Sequence, residues 1–136
     1  MLANGAKLSY KTTGNTYTEL PGLKEIPDMG VEPEKVQNTC LTDTHHKYEQ
    51  GIGDLPDMVY KFKYDNTSAT SPYRVLRGLA DAGTVANFKE ELKDGTTTTY
   101  DAQVGVKRTG GGVNGVIEFE VTMFVQSDIT ITDPTP

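Results

Sequence analysis

The sequence predicts a mainly β protein, α+β by class: an antiparallel β-sandwich or barrel with one flanking α-helix. Three observations predict it. Several segments alternate apolar and polar residues with a period of two, which buries one set of side chains and leaves the other wet. The chain is rich in Thr and holds 14 Gly among 136 residues, a composition of strands and turns more than of helices. Only one stretch carries both start and stop signals for a helix. At 14.8 kDa and 35% hydrophobic residues, a single domain over residues 1–136 with one modest core is expected.

Taken in order, Ala6–Lys11 alternates and reads as a half-buried strand. Leu20–Pro33 has three prolines and two glycines, which favours irregular extended chain over a central strand. Lys35–Leu41 suits a short strand, and residues 42–57 read as a long loop because of Gly51, Gly53 and Pro56. In "DMVYKFKYD", Met58, Tyr60, Phe62 and Tyr64 share a face opposite Val59, Lys61, Lys63 and Asp65. Ser71 suits a helix N-cap and Pro72 the first turn, where its missing N–H is not needed. Tyr73, Val75 or Leu76, Leu79 and Ala80 form an apolar stripe that Gly83 ends. Strands then return: Val85–Leu92, a turn at Asp94-Gly95, and "TTTTYDAQVGVKR" with Tyr100, Ala102, Val104 and Val106 on one face. After the "TGGGVNG" turn, Ile117, Phe119, Val121, Met123 and Val125 alternate with Glu118, Glu120 and Thr122. "SDITITDPTP" reads as a short strand and a frayed end, with residues 130–136 a flexible tail.

Charge narrows the function classes. A net charge of −6 and a pI near 4.8 argue against adhesive binding to nucleic acid, which needs Lys and Arg to displace phosphate counterions. On charge alone the simplest reading is an ordinary acidic cytosolic protein, although an acidic surface would also tolerate DNA passing nearby without holding it. No apolar run approaches 18 residues, so no membrane-spanning segment is expected. Met1–Gly5 lacks the basic and apolar regions of a secretory signal. One cysteine allows no internal disulfide, which suits folding in a reducing compartment.

The segment "TCLTDTHHKYEQGIGD" gathers the only cysteine and both histidines. A structural zinc site needs four ligands, usually in paired spacing, and Cys40 has no such partner. His45 and His46 are adjacent, so on a strand they would point to opposite faces. A nucleophilic cysteine needs a base and a positive surrounding, which spacing does not supply. The expected reading is an exposed polar loop with a small buried Cys40 at the end of a strand. "TGGGVNG" has neither a GK[ST] ending nor a following helix, so it is a strand connection and not a phosphate loop. Glu118 and Glu120 lie on one strand face about 7 Å apart, a glycosidase-like separation that is more simply a solvated face. No catalytic, cofactor or metal residues are assigned, and no enzyme is expected. The open sheet edges such a domain would carry are pairing sites that an assembly can use.

Taken together, "LANGAKLSYK", "YTELPGLKEIPDMGVEPEKVQNTCLTD", "YEQGIGDLPDM", "SPYRVLRGL", "LKDGTTTTYDAQVGVKRTGGGVNGVIEFEVTM" and "QSDI" resemble the major tail (tail tube) proteins of long-tailed bacteriophages of Gram-positive hosts. The resemblance runs from Leu2 to about Ile129. Its motifs are individually loose, and their order and spacing make it specific. It implies a fold related to lambda-like tail tube proteins and to the tube protein of type VI secretion. Six subunits would form a ring with a β-lined lumen, and stacked rings would form a tube through which the genome leaves. Partners would be further copies of the chain and other tail proteins: initiator, tape measure and terminator. DNA would pass without specific binding, with no membrane and no cofactor. The chain would be made and assembled in the host cytoplasm and end in the virion tail. Glu118, Glu120 and, more weakly, Asp101 are then candidate lumen residues. Residues 42–57 become the ring-to-ring contact loop, with Thr42, His45, His46, Tyr48, Glu49 and Asp54 as candidates. The histidines would let pH tune stacking, since histidine changes charge in the physiological range. The extra C-terminal immunoglobulin-like domain of larger relatives is not expected here. Two other readings stand beside this one. The first is a tail terminator or head–tail connector of related fold. The second, from a different class, is a small β-sandwich module binding carbohydrate or peptide, which the lack of Trp disfavours.

Overall fold

The longest alternating segments form the middle of the sheet. In the computed structural model, which describes residues 1–135, the order is β1 (Lys7–Lys11), β2 (Thr18–Leu20), β3 (Leu23–Glu25), β4 (Glu32–Gln37), β5 (Tyr48–Asp54), β6 (Met58–Lys63), α1 (Pro72–Ala82), β7 (Ala86–Glu91), β8 (Thr97–Thr109), β9 (Glu118–Val125) and β10 (Thr130–Thr132). The chain divides into two compact units: Met1–Ile26 with the chain from Val59 onward, and Pro27–Met58.

The first unit is one sheet in the order β2-β1-β7-β8-β9-β6-β3, with β10 also pairing β8. β8 is its axis. Its first half pairs antiparallel with β7, from Thr97 opposite Glu91 to Ala102 opposite Ala86. Its second half pairs with β9, from Ala102 opposite Val125 to Thr109 opposite Glu118. Alternation sends Tyr60 and Phe62 of β6, Ala86 and Phe88 of β7, Tyr100 and Ala102 of β8, and Phe119 and Val121 of β9 to one buried face, joined by Leu8 and Leu20. Phe62 stacks on Phe119 with ring centroids 5.2 Å apart. The sheet must be strongly curled. Flat, β6 and β7 would lie about 14 Å apart, three strand spacings, yet Tyr60 of β6 donates to Glu90 of β7 at 2.7 Å.

The helix packs against β8 with Pro72 and Leu76 buried, and its Tyr73 lies edge-on to Phe119 of β9 at 5.3 Å. Its stop is as expected: Gly83 takes a left-handed conformation, φ 66. Gly83 and Thr84 then donate back to Ala80 and Leu79, the paired bonds that satisfy final helical carbonyls. Its start differs from expectation. Ser71 holds the N-cap position without a side-chain capping bond, because its hydroxyl accepts the Ser68 N–H at 3.0 Å and so closes the preceding turn instead.

Three other expectations are corrected. Leu20–Pro33 is not simply irregular: it holds Leu20 at the end of β2, all of β3 against β6, and the start of β4. Edge strands of three residues fall below what alternation can reveal. Residues 42–57 are not one long loop, since Tyr48–Asp54 is strand β5 paired with β4. The glycines that suggested a loop are there for clearance. A Cβ on Gly51 would lie 2.7 Å from a Val36 methyl, and one on Gly53 would lie 2.3 Å from Val31. Residues 130–136 are not a free tail: Thr130–Thr132 pairs with Thr99–Thr97. β9 leaves that edge of β8 uncovered, and β10 fills it. Pro136 lies outside the described residues.

Candidate assembly surface

The polar face of the sheet carries all three acids expected in a lumen, and separates them. Glu118 and Glu120 stand half-buried on β9, opposite Thr109 and Lys107 of β8. Lys24 of β3 donates to Glu118 at 2.7 Å. Lys61 of β6 pairs with Glu25 at 3.3 Å. The bond to Glu25 raises the Lys61 pKa most, its charge adds to this, and Glu120 and Glu118 contribute more weakly. This corner is therefore a ladder of alternating charge, not an acidic patch. Such exposed pairs are screened by solvent and fix the pattern of charge more than they add stability.

Asp101 belongs to another cluster. It lies six residues along β8 from Lys107, about 20 Å by strand rise. Its carboxylate accepts the Asn87 amide at 2.8 Å, and Asn87 accepts the Tyr17 hydroxyl. The ammonium groups of Lys11 and Lys89 each lie 4.7 Å from the centroid of the Tyr17 ring. Between the two clusters the face holds Gln103 opposite Phe124 and Gly105 opposite Thr122, with no charge.

The second unit is a two-stranded antiparallel ribbon, β4 with β5. Every residue of β4 is exposed. The true loop is its tip, closed where Asn38 donates to the Lys47 carbonyl at 2.8 Å. Asp43 organises that tip. It accepts the Cys40 N–H at 2.7 Å and the Lys47 ammonium at 3.0 Å, and these two bonds, the backbone one first, lower its pKa. Sequence reasoning passed over Asp43, although its spacing to Cys40 and Lys47 is an ordinary turn signal. Cys40 is exposed, which corrects the expected burial: no core reaches the tip, so nothing is there to bury it.

The other expected contact residues all fall on this ribbon and are exposed: Thr42, His45, His46, Tyr48, Glu49 and Asp54. His46 Nδ1 lies 2.6 Å from the Gln37 amide, Glu49 accepts from Asn38 at 2.6 Å, and Lys35 lies 3.7 Å over the Tyr48 ring. The ribbon also shows bare apolar side chains, Leu41 fully exposed and Ile52 at 91%. Charge is very unequal between the units. Residues 27–58 hold seven Asp and Glu against two Lys, a net −5. The remainder holds 12 acids and 11 bases, a net −1.

Sheet edges stay open. β2 and β3 end the sheet, and beyond Ala102 no strand among the described residues pairs with β8 on the side away from β9. No group of three or more His, Cys, Asp or Glu is arranged to hold a metal among the described residues. No helix among them is long and apolar enough to cross a membrane.

An exposed ribbon and open edges are features of a subunit built to be joined to others. No curated protein matches the sequence. A solved chain from a structure described as the cryo-EM structure of the anti-feeding prophage baseplate, six-fold symmetrised, is similar in fold with a TM-score of 0.71. It is 15% identical, over 98% of this chain and 95% of that one. A chain from the tail of an empty GTA particle, determined with C6 symmetry, also scores 0.71 at 17% identity, over 95% of this chain and 98% of that one. The sequence model of the family described as phage tail tube protein, TTP, matches residues 4–134. The chain belongs to the phage tail tube protein family, and is a structural component of the virion tail.

Proposed function

We propose that six copies of this chain close into a ring, and that rings stack into a tube conducting DNA. The observation that carries the reading is the β4–β5 ribbon. It forms a unit of 32 residues, Pro27–Met58, with every β4 residue exposed, and displays Leu41 and Ile52 to solvent. An isolated ribbon of this kind is marginal in water and gains stability from a surface to lie on. Ring closure is supported by the open edges of β2, β3 and the second half of β8, since an unpaired strand is a template for the next chain. The count of six is supported by the six-fold symmetry stated for both similar assemblies.

The polar β8–β9 face, with Glu118 and Glu120, is proposed to line the bore. The pair with Lys24 gives Glu118 a sharper role than simple repulsion. Lys24 and Lys61 are held by Glu118 and Glu25, so these two cations are less free to hold a passing phosphate.

Electron microscopy of concentrated protein, alone and with the tail initiator, tests the assembly. Hollow stacked rings are expected. Cys40, the single cysteine and exposed, provides a second readout: maleimide should label it within minutes in free protein and at least tenfold more slowly in tubes. A chain that stays monomeric at high concentration, even beside the initiator, overturns the reading.

A further inference from the structure

The ring-stacking reading leaves open what the ribbon lies on, and the sheet unit offers one fitting surface. A depression of about 410 Å³ is lined by Pro21, Gly22, Lys63, Tyr64, Asp65 and Pro72. It is prebuilt. The Gly22 carbonyl accepts the Lys63 N–H at 2.8 Å. Tyr64 is braced by Tyr73 at 4.9 Å, and Tyr73 in turn by the buried Phe119. Two proline rings and a tyrosine ring make its lining largely apolar.

The surroundings are cationic. Arg77 lies 5.3 Å over the Tyr73 ring. Arg74 is held toward the same region by two bonds to Asn66, the residue after Asp65. None of the ion pairs among the described residues engages Lys63, Arg74 or Arg77. The one acid in the lining, Asp65, is turned onto the N–H and hydroxyl of Thr67 at 3.1 and 2.8 Å.

The ribbon presents the complement. Gly51 and Gly53 face Val36 and Val31, so Gln50, Ile52 and Asp54 stand on the other face, all exposed. Glu32 is the register partner of Asp54 and shares that face. The result is a bare aliphatic side chain beside two carboxylates, on a unit of net charge −5. An apolar hollow rimmed by unpaired cations fits that element.

We infer that the depression of one copy receives Ile52 from the ribbon of a second copy, with Asp54 and Glu32 of the ribbon set against Lys63 and Arg74. The inference rests on the stacked-ring reading and names the acceptor surface for it. The shared chemistry decides the specificity: burial of Ile52 supplies non-directional adhesion, and the charges fix which surface is chosen.

Charge exchange tests it, with all variants first checked for wild-type thermal unfolding. Asp54→Lys and Lys63→Glu should each cut tube yield at least tenfold by electron microscopy and sedimentation. The double variant should restore most of it, since the pair is only reversed. Mixing the two single variants should also recover stacking, because each supplies the partner that the other lacks. Recovery in the double variant but not in the mixture would place the contact within one chain and overturn the inference. So would single variants that stack normally, or single losses that the double variant leaves unrepaired. Loss of initiator binding with normal self-stacking would assign the depression to another tail protein, again against this inference. A wild-type chain that forms neither rings nor stacks defeats the tube reading itself, a result distinguishable from all of these.

Discussion

Glu90 is the one buried charged residue among those described, 4% exposed on the core face of β7. It ends a chain of hydrogen bonds in which Tyr100 donates to Tyr60 at 2.9 Å and Tyr60 donates to Glu90 at 2.7 Å. Burial pushes its carboxyl above the usual range, and the bond from Tyr60 only partly offsets this. Both tyrosine hydroxyls are also pushed upward, chiefly by burial, so they remain donors at any ordinary pH. A raised folded-state pKa means that the folded chain binds this proton more tightly than the unfolded one. The group's favourable contribution is then complete in acid, below the ordinary glutamate range, and is lost as pH rises through the folded value. Glu90→Gln keeps an acceptor for Tyr60 without the buried charge. It should unfold a few degrees higher than wild type at pH 7.5, and the difference should vanish near pH 4, as read by calorimetry across pH. Tyr60→Phe removes the middle of the chain and should cost about 1–3 kcal/mol. The alternation in the sequence placed Tyr60 and Tyr100 on core faces. It could not show that Glu90, three strands from Tyr60, would meet its hydroxyl, because that depends on how far the sheet curls.

Among the elements, the long alternating strands and the helix were legible, and the short or glycine-bearing strands were not. β8, β9 and β6 bury one face each, so a period of two is written into their residues. The ribbon buries neither face, and its residues show no such period. Gly51 and Gly53 then read as loop signals, although their backbone is extended strand. The clearance at Gly53 makes a prediction at this scale. Gly53→Ala would place a Cβ 2.3 Å from Val31 Cγ1 and 2.7 Å from the Glu32 carbonyl oxygen, against backbone that cannot yield cheaply. Amide exchange over residues 48–54 should accelerate at least tenfold and tube formation should fail, while the unfolding midpoint of the sheet moves by less than about 2 °C. A drop of the whole midpoint would show that the ribbon and the sheet unfold as one unit. Gly110 is the matching case in the sheet: its φ of 86 and a Cβ position 1.9 Å from the Val116 carbonyl oxygen fix the turn that sets the β8–β9 register. There "TGGGVNG" was correctly read as a strand connection, because Gly is the residue that tolerates positive φ.

For the whole molecule, the net charge of −6 is misleading as an average, since the ribbon carries −5 of it. This changes what the candidate lumen acids are expected to do. Glu118→Gln with Glu120→Gln frees Lys24 and removes acids near Lys61, leaving cations that can hold phosphate. Particles with both substitutions should assemble and package normally but eject DNA at least several-fold more slowly in single-particle assays, with the delay relieved by added salt, which screens exposed charge. Ejection at the wild-type rate would remove this face from the bore. The sequence by itself determined the β class, the single helix with its stop at Gly83, the faces of the central strands, the family, and the absence of a zinc-like spacing around Cys40. These are local or one-dimensional properties: periodicity, capping and the order of motifs. Only the tertiary structure decided that the apparent loop is a ribbon, that β10 is pinned to β8, and that Glu118 is matched by a lysine while Asp101 lies about 20 Å from that corner. Each of these depends on pairing between residues far apart in the chain. Lys24 and Glu118 are 94 residues apart, and no pattern along the sequence records that they meet.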